Sequence, residues 1–421
     1  MNNMKTNKIY VFEEFFNDTK LMGYLYIDNI KGIEHHSFEF DTEWLEIHKG
    51  FKYEIDPELA YIPGCQYPIE KSTFGIFSDI CPDRWGRTLL DRRERSQAQK
   101  ELRKPRKLNE SDYLMGVYDE TRMGAIRIKE VINGGFLANN KDYSIPPLTS
   151  LRTLEEASRA LEDDKISFSD KWLNQLIEPG SSLGGARPKA NVIDHEGNLW
   201  IAKFPSKKDD YDVGAWEKTA YDLATLCGLK TIESNIKSFS NFGSTFLIKR
   251  FDRINNKRVH FASAMTMLNK KDGDDSSSYL DIVDFLKANG ASPTEDIKEL
   301  WKRIVFNMAI TNTDDHLRNH GFLLGSKGWS LSPIYDINPV PYGDRLSLNV
   351  DDRDNLISLE LALDNAPYYG LKINEAKVIM KDMLQKVFNN WESMALHNHI
   401  PHKEIEYMRP AFSLCEDYKK I

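Results

Sequence analysis

The chain has 421 residues, a formal net charge of -8 and a hydrophobic content of 41%. This length and composition predict a globular protein of two or three domains and exclude global disorder. No apolar run is long enough to cross a bilayer or to form a secretory signal, so we expect a cytoplasmic protein that makes no membrane contact. The acidic balance argues against bulk electrostatic binding of nucleic acid, although it leaves room for a local basic patch.

The four cysteines are widely dispersed and form no C-x-x-C motif; they are Cys65, Cys81, Cys227 and Cys415. This spacing argues against a disulfide framework and against a zinc site. We therefore expect four buried thiols.

The N-terminal part predicts a small sheet followed by a basic helix. Short runs rich in β-branched and aromatic residues between positions 8 and 77 indicate a mostly antiparallel sheet. Residues 84–107 follow as a helical segment dense in arginine and lysine. We interpret its basic face as solvated, and the alternative is a surface that contacts a partner or nucleic acid.

The middle of the chain predicts two strand pairs around a helix. A Gly-, Asn- and Pro-rich stretch at 133–148 indicates a loop or boundary, and a helix-like run at 154–176 leads to the turn EPGSSLGGARPK. The runs KANVID and NLWIAKFP predict one strand pair, and ESNIKSFS and TFLIKRFD predict another. Apolar residues at helical spacing from Val213 to Cys227 stop at Gly228, which places a helix between the pairs.

Beyond Asp252 the pattern changes to long helices. An apolar stripe that begins after Thr294 leads to the polar cluster TNTDDHLRNH, and two strand-like runs, GFLLG and WSLSPIYD, follow it. The last 60 residues are again helical. We expect the apolar stripe to belong to the core.

Two polar clusters in the middle of the chain have the chemistry of a phosphate site. The run SSLGGARPK combines adjacent glycines, whose backbone amides can approach anionic oxygens, with Arg187 and Lys189. Lys203 follows on a predicted strand, where it can act as a point charge on phosphate, and Glu217 on the next helix can fix its position by an ion pair. Each cluster alone also fits a bland interpretation, an ordinary Gly-Gly turn or an exposed strand lysine.

Two further clusters carry carboxylates. Asp314 is followed five residues later by Asn319, in a loop that closes a helix. This pair supplies a base for an incoming hydroxyl and an amide oxygen for magnesium, whereas the alternative is an Asx-rich turn capped by its own side chains. Asp336 comes at the end of the strand-like run WSLSPIYD, where a phosphotransferase places its second metal ligand.

The order of these clusters is that of a two-lobed kinase. The chain contains, in this order, a small sheet, a glycine loop, a strand lysine, a helix glutamate, a strand pair, helices, an Asp-x4-Asn motif and a later Asp. Transfer of a phosphoryl group requires cations, backbone amides and a positioned base, and the four clusters supply this set.

The sequence resembles the HipA family of bacterial serine/threonine kinases, the toxins of HipBA-type toxin–antitoxin systems, over nearly its whole length. The motifs that carry the resemblance, in the family's order, are FSDICPDRWGRTLLDRR, ETRMGAIR, SLGGARPKA, LWIAKFP, GAWEKTAYDLATLCGL, IKRFDR, NTDDHLRNHGFLL and LSPIYDINP. The resemblance implies an α/β (α+β) fold of the bilobal protein-kinase type, with a β-rich N-terminal subdomain and a helical C-lobe. We expect the N-terminal subdomain at 1–150, the N-lobe core at 151–255 and the C-lobe at 256–421.

The resemblance also implies roles for individual residues, with ATP and Mg²⁺ as cofactors. Asp314 matches the catalytic aspartate, Asn319 and Asp336 match the magnesium ligands, and Glu217 is the partner that positions Lys203. The other residues expected to contact ATP fall into four groups and one single position. They are Gly185, Ala186, Arg187, Pro188 and Lys189 of the glycine loop; the strand lysine Lys203; Lys249, Arg250 and Phe251 of the hinge; His316, Leu317 and Arg318 of the catalytic loop; and Tyr335. The family often phosphorylates a serine of its own glycine loop, which here is Ser182, with Ser181 as second choice. Two positions depart from the family pattern: Asp315 replaces a small residue, and Lys249 replaces the Glu of some members.

The resemblance implies partners as well. These are a HipB-like helix-turn-helix antitoxin, a protein substrate such as an aminoacyl-tRNA synthetase, and DNA only through the antitoxin. Two other functions stay open: a catalytically weak co-repressor that acts by binding the antitoxin, and a small-molecule kinase of the aminoglycoside type. The intact set of Asp314, Asn319, Asp336 and Lys203 counts against the first, and NTDDH in place of His-Gly-Asp counts against the second.

Overall fold

A computed structural model describes residues 7–16, 18–137, 145–162, 176, 185, 187–274 and 276–420 of the chain. The β-strands within these ranges are β1 (Asn7–Glu13), β2 (Lys20–Ile30), β3 (Ile33–Phe40), β4 (Ile126–Lys129), β5 (Lys189–Ile193), β6 (Leu199–Lys203), β7 (Ser234–Ser240), β8 (Gly243–Lys249), β9 (Arg253–Ile254), β10 (Lys257–Arg258), β11 (Phe261–Ser263), β12 (Gly321–Gly325) and β13 (Gly328–Leu331). The α-helices are α1 (Thr42–Ile47), α2 (Gly75–Asp79), α3 (Arg84–Lys100), α4 (Glu110–Gly116), α5 (Leu151–Glu162), α6 (Val213–Leu226), α7 (Ala264–Met267), α8 (Tyr279–Asn289), α9 (Pro293–Ala309), α10 (Leu359–Asn365), α11 (Ile373–His397) and α12 (His402–Met408).

The chain forms two compact units. The first unit consists of residues 1–202, 252–262 and 323–326, and the second consists of residues 203–251, 263–322 and 327–421. The boundaries expected from the sequence, after residues 150 and 255, stay a prediction.

The first unit contains a four-stranded antiparallel sheet in the order β3-β2-β1-β4. On β1, Ile9 and Val11 point to the buried face and alternate with half-exposed residues, which is the two-residue period of a strand with one face in a core. The sequence correctly predicts β1 to β3. Strand β4 pairs with β1 from more than a hundred residues away, and its four residues are too short a run to give a strand pattern of their own.

The predicted basic segment is a helix only as far as Lys100, and Leu102 just beyond it has a left-handed backbone with φ of 52°. Two arginines of this segment are paired with neighbouring carboxylates. Arg87 makes two hydrogen bonds to Glu110, at 2.6 and 2.7 Å, and Arg106 makes two to Asp112, both at 2.7 Å. This local pairing neutralises part of the positive charge and favours the interpretation as a solvated face.

The expectation of four buried thiols is wrong for two of them. Cys81 and Cys415 are buried, but Cys227 is half-buried and Cys65 is exposed. Cys65 lies in the irregular stretch after α1, where no periodic pattern predicts burial. No pair of cysteines forms a disulfide within the described residues.

The core of the second unit is built around α9. This helix packs against α8, α10 and α11, and its Trp301 and Ile304 are fully buried. Helix α11 also packs against α6, which in turn packs on β8. The predicted apolar stripe is therefore confirmed as core, and it delivers the chain to the polar loop that starts at Thr311.

Among the described residues, no helix combines the length and the apolar character that crossing a membrane requires.

Candidate active site

Helix α6 is fixed at its N-terminus by a tight contact with β8. Asp212 caps the helix by accepting from the Ala215 amide at 3.0 Å, and it also accepts from the Ser244 amide at 2.9 Å. Gly214 follows, and a Cβ at this position would lie 2.1 Å from the Ser244 carbonyl oxygen. Only glycine therefore permits this approach, which sets the position of Glu217 one turn further along.

Lys203, the last residue of β6, lies between two carboxylates. Its Nζ donates to Glu217 Oε1 at 2.5 Å and to Asp336 Oδ1 at 2.7 Å. Lys203 is 9% exposed and Glu217 is 2% exposed. Burial opposes the charge of the lysine, but the two carboxylates outweigh it and raise the pKa of Lys203 above its ordinary value. The structure thus brings together three of the predicted site residues as a charged group, in which Lys203 and Glu217 are buried and Asp336 is partly exposed.

Asp336 reaches Lys203 from an unusual backbone conformation. Its φ of 57° lies in the left-handed region, which a non-glycine residue adopts only when its surroundings hold it there. The prediction that Asp336 ends a strand is wrong, because β13 stops at Leu331. Pro333 follows two residues later, and a proline has no backbone N–H with which to continue a strand ladder.

The predicted catalytic loop contains Asp314 and Asn319, and Asn319 closes it. The Asn319 Nδ2 donates to the Asp314 carbonyl oxygen at 2.9 Å, and residues Leu317–Asn319 form a 3₁₀ turn. Asn319 is 3% exposed, and its Oδ1 is buried without a hydrogen-bond partner among the described residues. An open amide oxygen is what an oxygen-preferring cation requires.

The residues present fit a magnesium ion. Mg²⁺ is usually held by one or two protein ligands together with substrate phosphates rather than by a closed cage of side chains. In the described part of the chain, no cluster of three or more His, Cys, Asp or Glu side chains is suited to a metal. Asn319 and Asp336 offer two oxygen donors.

The Asp314 carboxylate is electrostatically suited to accept a proton. Desolvation of its carboxyl group, and then the negative charges of Asp336 and Asp315, raise the pKa of Asp314 above its ordinary value, while His316 acts in the opposite direction. A raised pKa makes a carboxylate a stronger base. The influence of Asp336 also indicates that the two predicted functional carboxylates lie within electrostatic range of each other.

Two aromatic residues of the same unit contact each other, and one of them, Tyr335, directly precedes Asp336. The rings of Phe251 and Tyr335, both predicted to contact ATP, have centroids 5.5 Å apart and are buried. Tyr335 donates its hydroxyl to the Arg318 carbonyl oxygen at 2.8 Å. The Arg318 side chain turns to Asp272, which it contacts at 2.8 Å through both Nε and Nη2.

The other predicted residues of the hinge and catalytic loop lie in the same unit. Lys249 ends β8, and its Nζ is 3.5 Å from Glu233 Oε2. Arg250 and Leu317 are buried, whereas His316 is partly exposed. Their contacts with nucleotide stay a prediction.

The glycine stretch belongs to the first unit. Gly185 is exposed with φ of 90°, and Pro188 is buried. Lys189 is 1% exposed, and its Nζ contacts Asp83 Oδ2 at 2.7 Å. Arg187 is partly exposed, while Ala186, Ser181 and Ser182 lie outside the described residues. The predicted roles of this stretch at the phosphates and as the phosphorylated loop stay predictions.

Sequence reasoning missed several residues that hold the predicted ones. Asp83 pairs with Lys189, Asp272 pairs with Arg318, and Tyr279, Asn307 and His320 surround Asp315. The only local signal was for Asp83, whose position before an amphipathic run marks it as a helix N-cap. The others are separated from their partners by folding and give no local pattern.

The chain is similar to known proteins in sequence and in fold. The family model of the HipA-like C-terminal domain matches residues 181–391, half of the chain. A serine/threonine-protein kinase toxin HipA of Shewanella oneidensis is 23% identical over 278 residues, which cover 57% of this chain and 63% of that protein. Relatives from Sinorhizobium fredii and Haemophilus influenzae, both named provisionally as kinases, are 23% and 26% identical over 48% and 55% of their own lengths. The chain thus matches between about half and just under two thirds of each of these relatives.

A solved structure extends the likeness in fold over the whole chain. The Shewanella oneidensis HipA in a complex with HipB and operator DNA superposes with a TM-score of 0.68 at 17% identity and covers 98% of both chains. At this identity the match concerns the fold, and it confirms the predicted mixed helix-and-sheet fold class. With the family model matching half of its residues, the chain belongs to the HipA family.

Proposed function

We propose that this protein is an ATP- and magnesium-dependent kinase that phosphorylates a serine or threonine of a protein. The observation that carries the proposal is the placement of Lys203 Nζ between Glu217 and Asp336, 2.5 and 2.7 Å away, in the unit that also contains Asp314 and Asn319. Phosphoryl transfer needs a fixed cation and metal ligands at the phosphates and a base for the attacking hydroxyl, and this group offers all three.

In this proposal each residue has one task. Lys203, held charged by its two carboxylates, orients phosphate oxygens. Asn319 and Asp336 would hold magnesium, which neutralises charge on the phosphates when bound. Asp314, whose pKa is raised, accepts the proton of the attacking hydroxyl. Phe251 and Tyr335 provide buried aromatic surface suited to a nucleobase.

The substrate class comes from the relatives. The Shewanella oneidensis relative is named a serine/threonine-protein kinase toxin. We propose the same acceptor chemistry here, with an aminoacyl-tRNA synthetase or another translation factor as the protein substrate, and growth arrest as the result. We also propose that the kinase phosphorylates Ser182 of its own glycine loop, or Ser181 if Ser182 is not the acceptor.

A helix-turn-helix antitoxin is the proposed partner. The solved structure with the same fold is titled as a complex of HipA with HipB and operator DNA. We propose that this chain binds a HipB-like protein and reaches DNA only through it. We expect a short neighbouring reading frame to encode such a protein. Co-expression with that protein should give a complex that co-purifies, and failure of the two to associate would contradict this partner.

The test of the kinase function uses labelled ATP. The purified chain, with MgATP and a dephosphorylated bacterial extract, should transfer label to protein serine or threonine, and Asp314→Asn should abolish it. Asp284→Asn is the matched control, because Asp284 is an exposed aspartate of α8 that contacts only Lys287 among the contacts described for its side chain. Equal labelling by wild type and Asp314→Asn would contradict the assigned base. Absence of label in every reaction would favour the co-repressor role.

Mass spectrometry of the labelled chain identifies the loop serine. Label on wild type that is lost in Ser182→Ala but kept in Ser181→Ala would support Ser182. The converse would support Ser181, and label on neither would contradict autophosphorylation of this loop.

A further inference from the structure

Asp315 is a buried carboxylate directly after the proposed base. It is 3% exposed, and its Oδ2 accepts three hydrogen bonds: from the Tyr279 hydroxyl at 2.6 Å, from Asn307 Nδ2 at 2.7 Å and from His320 Nε2 at 2.9 Å. A buried ionised carboxylate is costly unless such donors surround it. Because Asp314 supplies the carboxylate that would meet the substrate, Asp315 has no evident place in the chemistry itself.

The donors come from three different elements of the second unit. Tyr279 is the first residue of α8, Asn307 lies near the end of α9, and His320 directly precedes β12. The three donors are each no more than 2% exposed, and the rings of Tyr279 and His320 meet edge to face with centroids 5.6 Å apart. One carboxylate thus joins two helices and the start of a strand beneath the loop.

The charge states inside this cluster suit a fixed network. Burial opposes ionisation of Asp315, but the contributions of His320 and of the Tyr279 hydrogen bond outweigh it, so the pKa of Asp315 is lowered. Burial, followed by the charge of Asp315, raises the pKa of Tyr279 far above its ordinary value. The carboxylate therefore stays an acceptor and the phenol stays a donor.

The same cluster reaches both ends of the loop. Asn307 Oδ1 accepts from Asn312 Nδ2 at 3.0 Å, and the Asn307 carbonyl oxygen accepts from the Asn312 amide at 2.8 Å, just before Asp314. At the other end, Asn319 donates to the Asp314 carbonyl oxygen. The loop from Asn312 to Asn319 is thus tied at its start, its middle and its end.

We infer that Asp315, held by Tyr279, Asn307 and His320, is a positioning residue that fixes the backbone of the loop so that Asp314 and Asn319 keep a productive geometry. This inference rests on the proposed kinase function and adds to it a set of residues that act through Asp314 without touching substrate. A shift of the loop by about 1 Å would be enough to lower turnover strongly.

Tyr279→Phe tests the inference because it removes one donor and keeps the ring. The matched control is Tyr369→Phe: Tyr369 is also fully buried in the second unit, and its hydroxyl donates to the Val350 carbonyl oxygen at 3.1 Å rather than to the loop. Both variants lose one buried hydrogen bond. Only Tyr279→Phe loses a bond to Asp315.

The first measurement is kinetic and uses transfer from labelled MgATP to protein of a bacterial extract. Tyr279→Phe should lower kcat by about tenfold while KM for ATP changes less than about threefold, and Tyr369→Phe should leave kcat nearly unchanged. Equal kcat values for the two variants would overturn the inference. If Tyr279→Phe does not fold, Asp315→Asn replaces it and should show the same split between kcat and KM, since it keeps the side-chain volume and removes the charge that holds the donors.

The second measurement does not depend on activity. Amide hydrogen exchange of a peptide covering residues 312–320 should become faster in Tyr279→Phe than in Tyr369→Phe. Unchanged exchange would overturn the positioning role even in an active enzyme. If exchange is faster in Tyr279→Phe but wild type transfers no phosphate, the constraint on the loop is supported and the proposed kinase function is contradicted.

Discussion

Lys203 Nζ and Asp336 Oδ1 lie 2.7 Å apart, although 133 positions separate the two residues in the sequence. The contact places a proposed metal ligand on the proposed phosphate-binding lysine. Glu217 on α6 accepts a hydrogen bond from the same ammonium group, so the lysine is held by two carboxylates at once. Nucleotide and magnesium would therefore enter a site whose charges are already paired with one another.

Replacement of Lys203 by methionine should abolish phosphate transfer and also destabilise the fold. Without the ammonium group, the buried Glu217 carboxylate has lost a charged partner, and breaking a buried pair costs about 3 kcal/mol. Chemical denaturation measures the loss. The double variant Lys203→Met/Glu217→Gln should recover most of the stability but none of the activity.

A control for this prediction lies on the surface of α11. Lys386 pairs there with Asp382 through side chains that are 37% and 60% exposed, and Lys386→Met should cost no more than about 0.5 kcal/mol. If the Lys203 and Lys386 variants are equally stable, the buried ion pair does not contribute the stability predicted for it.

Replacement of Asn319 by alanine should raise the magnesium requirement and lower turnover by about 100-fold. The amide oxygen of Asn319 is buried and has no partner in the described residues, so it is the donor that a bound cation would use. A Mg²⁺ titration of phosphate transfer measures the shift. Asn390→Ala is the control, because the one hydrogen bond described for the Asn390 side chain goes to the Lys386 carbonyl oxygen within its own helix. An unchanged magnesium dependence in Asn319→Ala would remove Asn319 from the metal site.

The sequence predicts the elements of the site better than the contacts that hold them. Lys203 and Glu217 were found because a strand pattern and a helix pattern each carry local periodicity. Asp336 was predicted as a magnesium ligand at the end of a strand; the metal role stays a prediction, and the strand placement is wrong because its left-handed backbone depends on the surrounding fold. No local pattern could reveal that Tyr279, 36 positions earlier, donates to Asp315.

Long-range pairing explains the other differences. Strand β4 was missed because its pairing with β1 joins distant parts of the chain. The substitution of Asp315 for a small residue looked like a departure from the family pattern, yet three buried donors satisfy it. Such compensation is visible only when the elements are packed.

The stability of the protein should fall between pH 7 and pH 5 because of His260. This side chain is 1% exposed, its ring lies 4.5 Å from that of Phe15, and burial lowers its pKa to about 3. The unfolded chain binds a proton near the ordinary histidine pKa, whereas the folded chain does not, so acid favours unfolding. The contribution is fully present above about pH 6.5 and is lost as the pH falls toward 3.

Urea unfolding at the two pH values measures this effect. Between pH 7 and pH 5, wild type should lose about 2 kcal/mol more than His260→Leu does. His195→Gln, at a turn residue whose side chain is 90% exposed, is the control and should follow wild type. An identical pH dependence of wild type and His260→Leu would show that His260 is not the group that titrates.

Variants of Lys189 and its partner Asp83 distinguish a structural role of the lysine from a role in binding phosphate. Both side chains are at least 95% buried and lie 2.7 Å apart, and Asp83 also caps α3 by accepting from the Gly86 amide at 2.8 Å. Asp83→Asn should therefore destabilise the chain by about 3 kcal/mol, because the buried Lys189 ammonium group loses the charge of a carboxylate 2.7 Å away. Asp83→Ala should cost about 1 kcal/mol more, since the helix cap is lost as well.

The double variant Asp83→Asn/Lys189→Met completes this test, because it removes both charges and should regain most of the stability lost in Asp83→Asn. Calorimetric titration with MgATP then reads the role of the lysine in a folded protein. If Lys189 holds phosphate as predicted, the double variant should bind ATP at least about tenfold more weakly than wild type, a cost of about 1.4 kcal/mol. Equal ATP affinity of the double variant and wild type would leave Lys189 with a structural role in the first unit alone. If Lys189 left Asp83 to bind phosphate, its replacement by methionine would weaken ATP binding.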